Sequence, residues 1–266
     1  MRTAKPREEN VRPPAVAGTF YPRDPGALRA EVRRLLAGAA PRAAEAPKAV
    51  IAPHAGYAYS GPTAAAAFGS LHDGVGIARV VVIGPAHYVG FRGIAVPSAT
   101  AFATPLADVA VDQEAIARLT DLPFVARDDR PHAPEHALEV ELPFLQCVLA
   151  SFRIVPLVVG DAAPHEVAQV LRRLWGGAET LIVVSSDLSH YHDYETARQL
   201  DGETAMLIER GEWAEIRSDR ACGWLAVAGL LMEMGEHGKG RRLALCNSGD
   251  TAGSRDRVVG YGAWGF

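Results

Sequence analysis

The sequence is poor in the features that would tie it to a membrane, a nucleic acid or an oxidising compartment. Its three cysteines, Cys147, Cys222 and Cys246, are widely spaced and odd in number, which argues against a disulfide framework and fits a reducing cytoplasm. No apolar run approaches the length of a bilayer span. The opening MRTAKPREENVRPPAVAG is polar and proline-rich and lacks the apolar core of a signal peptide. No long Lys/Arg run occurs and the net charge is −4, so a phosphate backbone is not an expected partner. These absences predict a cytoplasmic protein with neither membrane nor nucleic acid among its partners.

What is present is apolar and regularly punctuated. With 48% hydrophobic residues in a chain of 266, a large core can be buried. Aliphatic strand candidates fall at 49–52, 79–84, 154–159, 181–185, 243–246 and 258–261. Between them lie helical patterns. Asp24-Pro25 opens one to about Ala37, with an N-cap followed by a proline at the first helical position. Others fit Ser60-Gly61-Pro62 onward through TAAAAF, Asp112 to Leu119, Pro164 to Trp175, Tyr194 to Arg210 and Gly223 to Met234. A further helix is predicted to open at Pro134, with Pro143 kinking it or displacing its start. Continuous rather than alternating apolar strands, separated by helices, predict an α/β fold: one domain, a central, mainly parallel sheet, and helices on both faces. A flexible segment is expected over residues 1–12, a single domain over 13–266, and a small-residue linker in AAPRAAEAPK.

Three strand candidates end alike. AVIAPHAGY ends in His54 and Tyr57, VVVIGPAHY in His87 and Tyr88, and LIVVSSDLSHYH in His190, Tyr191 and His192. Ligands of open α/β sheets bind beyond the carboxyl ends of the strands, so neighbouring strands would bring His54, His87 and His190 to one mouth. Neutral imidazole suits zinc, iron or copper and serves as acid or base near neutral pH. Tyr57, Tyr59, Tyr88 and Tyr191 either line an aromatic pocket or pack the sheet's rim. PHAPEHALE spaces His132 and His136 as a metal pair, but Pro134 between them begins a helix and separates their faces. Glu139 and Glu141 read as solvated or ion-paired. Ser185, Ser186, Ser189, Asp187 and His190 invite a hydrolase triad, yet no G-x-S-x-G elbow is present. GYAYSG lacks the lysine of a phosphate loop.

PPAVAGTFYP, APHAGYAYSGPTAAAAF, VVVIGPAHY, EHALEVELPFLQ, SSDLSHY and NSGDTAGSRDRVVGYGAWGF together resemble the Memo family, which in prokaryotes includes the AmmeMemoRadiSam system protein B. The resemblance spans about Pro13 to Phe266. It implies a fold similar to the class III extradiol dioxygenases, which are non-haem iron enzymes, and functional partners within the AmmeMemoRadiSam system. It implies that His54 and His87 are metal ligands and that Asp187 and His190 are pocket residues, with His190 as acid or base under orientation by Asp187. His136 matches the family's EH block and is expected to reach the pocket in a catalytic role. Thr251 stands where animal relatives carry a cysteine ligand. Asp250 beside it is therefore the candidate third ligand, giving the two-histidine, one-carboxylate set that suits Fe(II). A thiol such as Cys222 or Cys246 in that role would favour zinc or copper instead, and the chain could also be metal-free as purified. Cys222 itself is open to two readings: a small buried thiol, or a thiol beside the metal. Two functions follow: a metal-dependent, dioxygenase-like oxidoreductase acting on a small molecule, or a non-catalytic module that binds a peptide or protein at the same pocket.

Overall fold

The aliphatic runs of the sequence form the strands at the centre of the structure, and those strands are almost wholly buried. The computed structural model describes residues 10–39, 46–71, 76–235 and 239–266. In chain order it contains β1 (Val11–Arg12), α1 (Pro25–Ala37), β2 (Ala49–Ala52), α2 (Tyr57–Gly69), β3 (Arg79–Pro85), β4 (Ile94–Val96), β5 (Ala101–Ala103) and β6 (Asp108–Ala110). There follow α3 (Gln113–Ala117), β7 (Val125–Arg127), α4 (Asp129–His132), α5 (Leu142–Val148), β8 (Arg153–Val159), α6 (Pro164–Leu174), β9 (Thr180–Ser185) and β10 (His190–His192). The chain ends with α7 (Tyr194–Arg210), α8 (Trp224–Met234), β11 (Arg241–Asn247) and β12 (Val258–Gly265).

The large sheet runs β10-β12-β2-β9-β3-β8-β4-β7, with β11 against β12. Its centre, β2-β9-β3-β8, is parallel throughout. Its flanks are not: β12 is antiparallel to β2, β10 and β11, and β4 is antiparallel to β8. The parallel sheet predicted from the aliphatic runs is thus the core of a mixed one. Every residue of β2 and β9 is buried, which requires cover on both faces. Helices α1, α2 and α5 pack together on the sheet, as do α6 and α8. A separate sheet, β1-β5-β6, lies outside this path.

Two helix starts differ from those predicted. Helix α2 begins at Tyr57, a turn before Ser60, and Pro62 lies inside it. The Gly56 carbonyl accepts from the N–H groups of both Tyr59 and Ser60, which sets the earlier start. No helix opens at Pro134. Residues 135–141 form successive turns and α5 starts at Leu142, with Pro143 in its first turn.

The segment expected to be flexible over 1–12 is anchored at its end. Residues 1–9 lie outside the described residues, as do residues 40–45 of the linker. Val11 and Arg12 pair with Ala101 and Phe102, and the Arg12 guanidinium reaches Glu139 at 2.6 Å with both side chains buried. Glu139 also accepts from Tyr21 Oη, Ala15 N and Val16 N.

His132 shows how the core constrains a histidine that has no site role. Its Nε2 donates to the Ala95 carbonyl at 3.1 Å, and Nδ1 has no partner among the described residues. Burial pulls its pKa down to about 4 despite that hydrogen bond. The unfolded chain takes up this proton near pH 6.5, whereas the folded chain resists it. Stability is therefore lost as pH falls from about 6.5 toward 4. Between pH 7 and 5 the wild type is expected to lose about 2 kcal/mol more than His132→Gln in urea unfolding. Equal losses in the two proteins would rule this out.

Candidate metal centre

The parallel register places the strand ends together. Ala52 pairs with Ser185, and Ile83 with Val184, so the loops that follow β2, β3 and β9 leave one edge of the sheet. His54 follows β2, His87 follows β3, and Asp187 and His190 follow β9. Gly84 brings in a fourth segment. A Cβ there would sit 3.1 Å from Leu138 and 3.3 Å from both Ala137 and Ser185, so the segment that carries His136 packs closely against the strand ends.

Three imidazoles converge as a result. One ring nitrogen from each of His54, His87 and His136 lies within 4.8 Å of the others. The ring centroids are 5.1 Å apart for His54 and His87, 5.4 Å for His54 and His136, and 4.6 Å for His87 and His136, the last pair stacked. Each ring is tied at Nδ1: His54 to Ser185 Oγ at 2.8 Å, His87 to Glu135 Oε1 at 2.8 Å, and His136 to Tyr88 Oη at 3.2 Å. That leaves Nε2 of each ring as the donor atom.

Burial keeps the donors of His54 and His136 neutral. Burial pushes His54 well below the ordinary imidazole range, and the neighbouring His87 adds to the effect. Burial and His54 bring His136 down to about 4. Glu135 behaves oppositely. Burial favours its neutral form, but the His87 ring together with the N–H groups of His87 and Ala137 outweighs burial and takes its pKa down to about 2. Glu135 also accepts from His136 N at 2.9 Å, so one carboxylate orients both histidines of the 87–136 pair. A carboxylate behind a ligand ring is the usual support of a metal-bound histidine. An ion bound at about 2.1 Å in tetrahedral geometry needs nitrogens about 3.4 Å apart, a closure within reach of small side-chain rotations. The donor set therefore fits a metal ion.

The predicted site residues divide accordingly. His54 and His87 share the cluster. His136, expected in a catalytic role, stands beside them as a third possible ligand. Asp250, expected as that third ligand, lies outside the cluster. It is exposed and caps a short 3-10 turn at Ser248–Asp250; one oxygen accepts from Tyr194 Oη at 2.5 Å and the other from Asn247 N at 3.1 Å. Thr251 bonds locally to the Ser248 carbonyl, and Cys246 to Thr63 at 3.1 Å. Cys222 is the thiol at the site, with Sγ 3.2 Å from His54 Nε2. Burial raises its pKa, and Asp187 adds to the rise.

Among the described residues no hydrogen bond joins Asp187 to His190. Asp187 Oδ1 accepts from His54 N at 2.8 Å, and burial raises its pKa. His190 Nδ1 is held instead by the Leu188 carbonyl at 2.8 Å. One oxygen of the Asp187 carboxyl thus serves the turn that carries His54. His190 counts among the electrostatic influences on both His54 and Asp187. Tyr191 beside it adopts φ 65°, in the left-handed region that few non-glycine residues occupy. It sits where the β10–β12 register shifts. Glu135, Ser185 and Tyr88 support the site without having been singled out in that role; the adjacency of Glu135 to His136 was the available signal.

The fold and cluster define an α/β protein with a three-histidine, metal-capable centre at the carboxyl edge of its sheet. The chain belongs to the Memo family: the family model described as Memo-like protein matches residues 12–264. That family has an extradiol dioxygenase-like fold. The chain is similar to a MEMO1 family protein of Aquifex aeolicus, with 38% identity over 265 residues covering 94% of this chain and 97% of the relative. It is also similar to MEMO1 family proteins of Methanothermobacter thermautotrophicus, at 35% identity with 94% and 98% covered, and of Methanopyrus kandleri, at 35% with 95% and 97% covered. Among the described residues, no helix is long and apolar enough to cross a membrane.

Proposed function

We propose that the protein is a metal-dependent oxidoreductase of the extradiol-dioxygenase type, acting on a small molecule, with His54, His87 and His136 holding Fe(II). The observation that carries this reading is the convergence of three imidazoles whose second nitrogens are all tied back. A bound ion would supply a Lewis acid with open coordination positions. The same imidazoles suit zinc or copper.

The chain's own residues supply the rest. With Nδ1–H given to the Leu188 carbonyl, His190 keeps its Nε2 lone pair and can accept a proton from a substrate hydroxyl. Asp187 holds the His54 backbone in place. A cavity of about 310 Å³ runs beside the centre, walled by Pro85, Ala86, Phe91, Cys222, Trp224 and Asp161. Its size and largely apolar walls suit a small molecule with few polar groups.

The test is oxygen uptake by protein loaded anaerobically with Fe(II) and offered a catechol probe. His190→Ala is expected to keep Fe(II) affinity and lose uptake. Loss of affinity and uptake together would place His190 among the ligands, and a variant as active as the wild type would remove it from the chemistry. A second reading, a peptide- or protein-binding module, is favoured by the exposure of Tyr88 and Tyr191 next to site histidines, 56% and 64% respectively. Partners from the AmmeMemoRadiSam system would dock on those rings. That reading gains if the Fe(II)-loaded wild type takes up no oxygen with any phenolic probe.

A further inference from the structure

His87 is backed by an ionised carboxylate; His54 is not. Behind His54 lies Ser185, the last residue of β9. Its Oγ is 2.8 Å from His54 Nδ1, 2.7 Å from the Ala137 carbonyl and 2.8 Å from Glu141 Oε1. Glu141 is fully buried, and no ion pair reaches it among the described residues. Its other oxygen, Oε2, has no hydrogen-bond partner there.

We propose that Glu141 and Ser185 are positioning residues for His54: Glu141 stands as a neutral acid donating to Ser185, and Ser185 accepts from His54 Nδ1–H, so that the ring's lone pair is presented at Nε2. Proton counting carries the argument. A serine hydroxyl has one hydrogen and two lone pairs. The Ala137 carbonyl can only accept, so the hydroxyl hydrogen goes there. The two remaining neighbours, the Glu141 carboxyl and the His54 ring, must then both donate. An ionised Glu141 would compete with Ala137 for the single hydrogen and leave one close oxygen pair with none. It would also be a buried anion without a cation, with one oxygen unpaired, which is far costlier than a buried neutral acid. Burial acts in the same direction on the carboxyl itself, raising its pKa well above the ordinary range although Ser185 opposes this.

The consequence is an asymmetric centre, and it rests on the reading of His54 as a ligand. An anion strengthens His87 as a donor, whereas a neutral relay merely aims His54. The surroundings thus place less negative charge on the metal than two carboxylate-backed histidines would.

The experiment uses full-length, metal-free protein for the protonation states and Zn(II) alone as the probe of affinity. Nitrogen-15 NMR of the histidines is expected to show His54 protonated at Nδ1, and infrared spectra at neutral pH a protonated carboxyl band that vanishes in Glu141→Gln. Because an amide N–H can replace the acid O–H, Glu141→Gln should bind Zn(II) within about twofold of the wild type. Glu141→Met, which has no proton to donate, should bind about tenfold more weakly. Ser185→Ala should mix the His54 tautomers and weaken Zn(II) binding by about ten- to a hundredfold. If Glu141→Met does not fold, the glutamine variant and the infrared band decide. His54 protonated at Nε2, no carboxyl band, a tenfold loss in Glu141→Gln, or wild-type affinity in Glu141→Met would each overturn the proposal. A protein with the expected tautomer and band that binds no metal would refute the metal reading and leave the positioning of His54 intact.

Discussion

Replacing His87 with alanine is expected to weaken Zn(II) or Fe(II) binding by more than about a hundredfold. Glu135→Gln should weaken it by about ten- to a hundredfold, the range for loss of a supporting carboxylate; removing the ligand itself must cost more. Glu135 also organises the centre, accepting from the backbone of His87, His136 and Ala137, so its glutamine variant loses charge and one acceptor site together. Asp250→Ala should stay within about twofold of the wild type, because its oxygens serve Tyr194 and Asn247 away from the histidines. Anaerobic competition with a chromophoric chelator measures all three. A loss in Asp250→Ala as large as that in His87→Ala would restore the carboxylate to the ligand set and displace His136.

Arg12→Ala should destabilise the fold by about 3–5 kcal/mol, the usual result of breaking a buried ion pair from one side. The change leaves Glu139 buried with only Tyr21 Oη and two backbone N–H groups. It also strips the His132 and Glu135 carbonyls of the guanidinium donors they now have at 2.7 and 2.5 Å. Denaturant unfolding checks the value, and a loss under about 1 kcal/mol would mean that water or a rearranged side chain replaces the arginine. Because Glu135 carries the site, a secondary loss of metal affinity is expected in the same variant.

The strands that build the site were legible because fully buried parallel strands are written as unbroken aliphatic runs. The predicted 79–84 is Arg79–Pro85 in the structure, 154–159 is Arg153–Val159, and 181–185 is Thr180–Ser185. With those strands came the positions of His54 and His87 at their ends. The short flanking strands, three residues each in β4, β7 and β10, carry too little periodicity to be read; β11 and β12 were read, but an apolar run does not encode its direction, so their antiparallel pairing was not. Segment 135–141 was hidden for another reason. Glu135 and Glu139 resemble surface acids in a helix, yet the groups that hold them lie as far away as His87 and Arg12, and only the folded chain brings those together. Asp250 lies outside the histidine cluster, in a run, Asn247-Ser248-Gly249-Asp250, that is ordinary turn chemistry, with asparagine and aspartate capping their own backbone.

No two of the three histidines share an element: one follows β2, one follows β3, and one lies in the turns before α5. The unfolded chain has no preformed equivalent, so a metal that selects the assembled centre acts as a reporter of folding. At a free metal concentration about a hundred times the dissociation constant, linkage adds about 2.7 kcal/mol to the native state. The melting temperature should then climb with the logarithm of metal concentration and fall back when a chelator is added, turning the centre into a gauge of how completely the sheet's carboxyl edge has assembled.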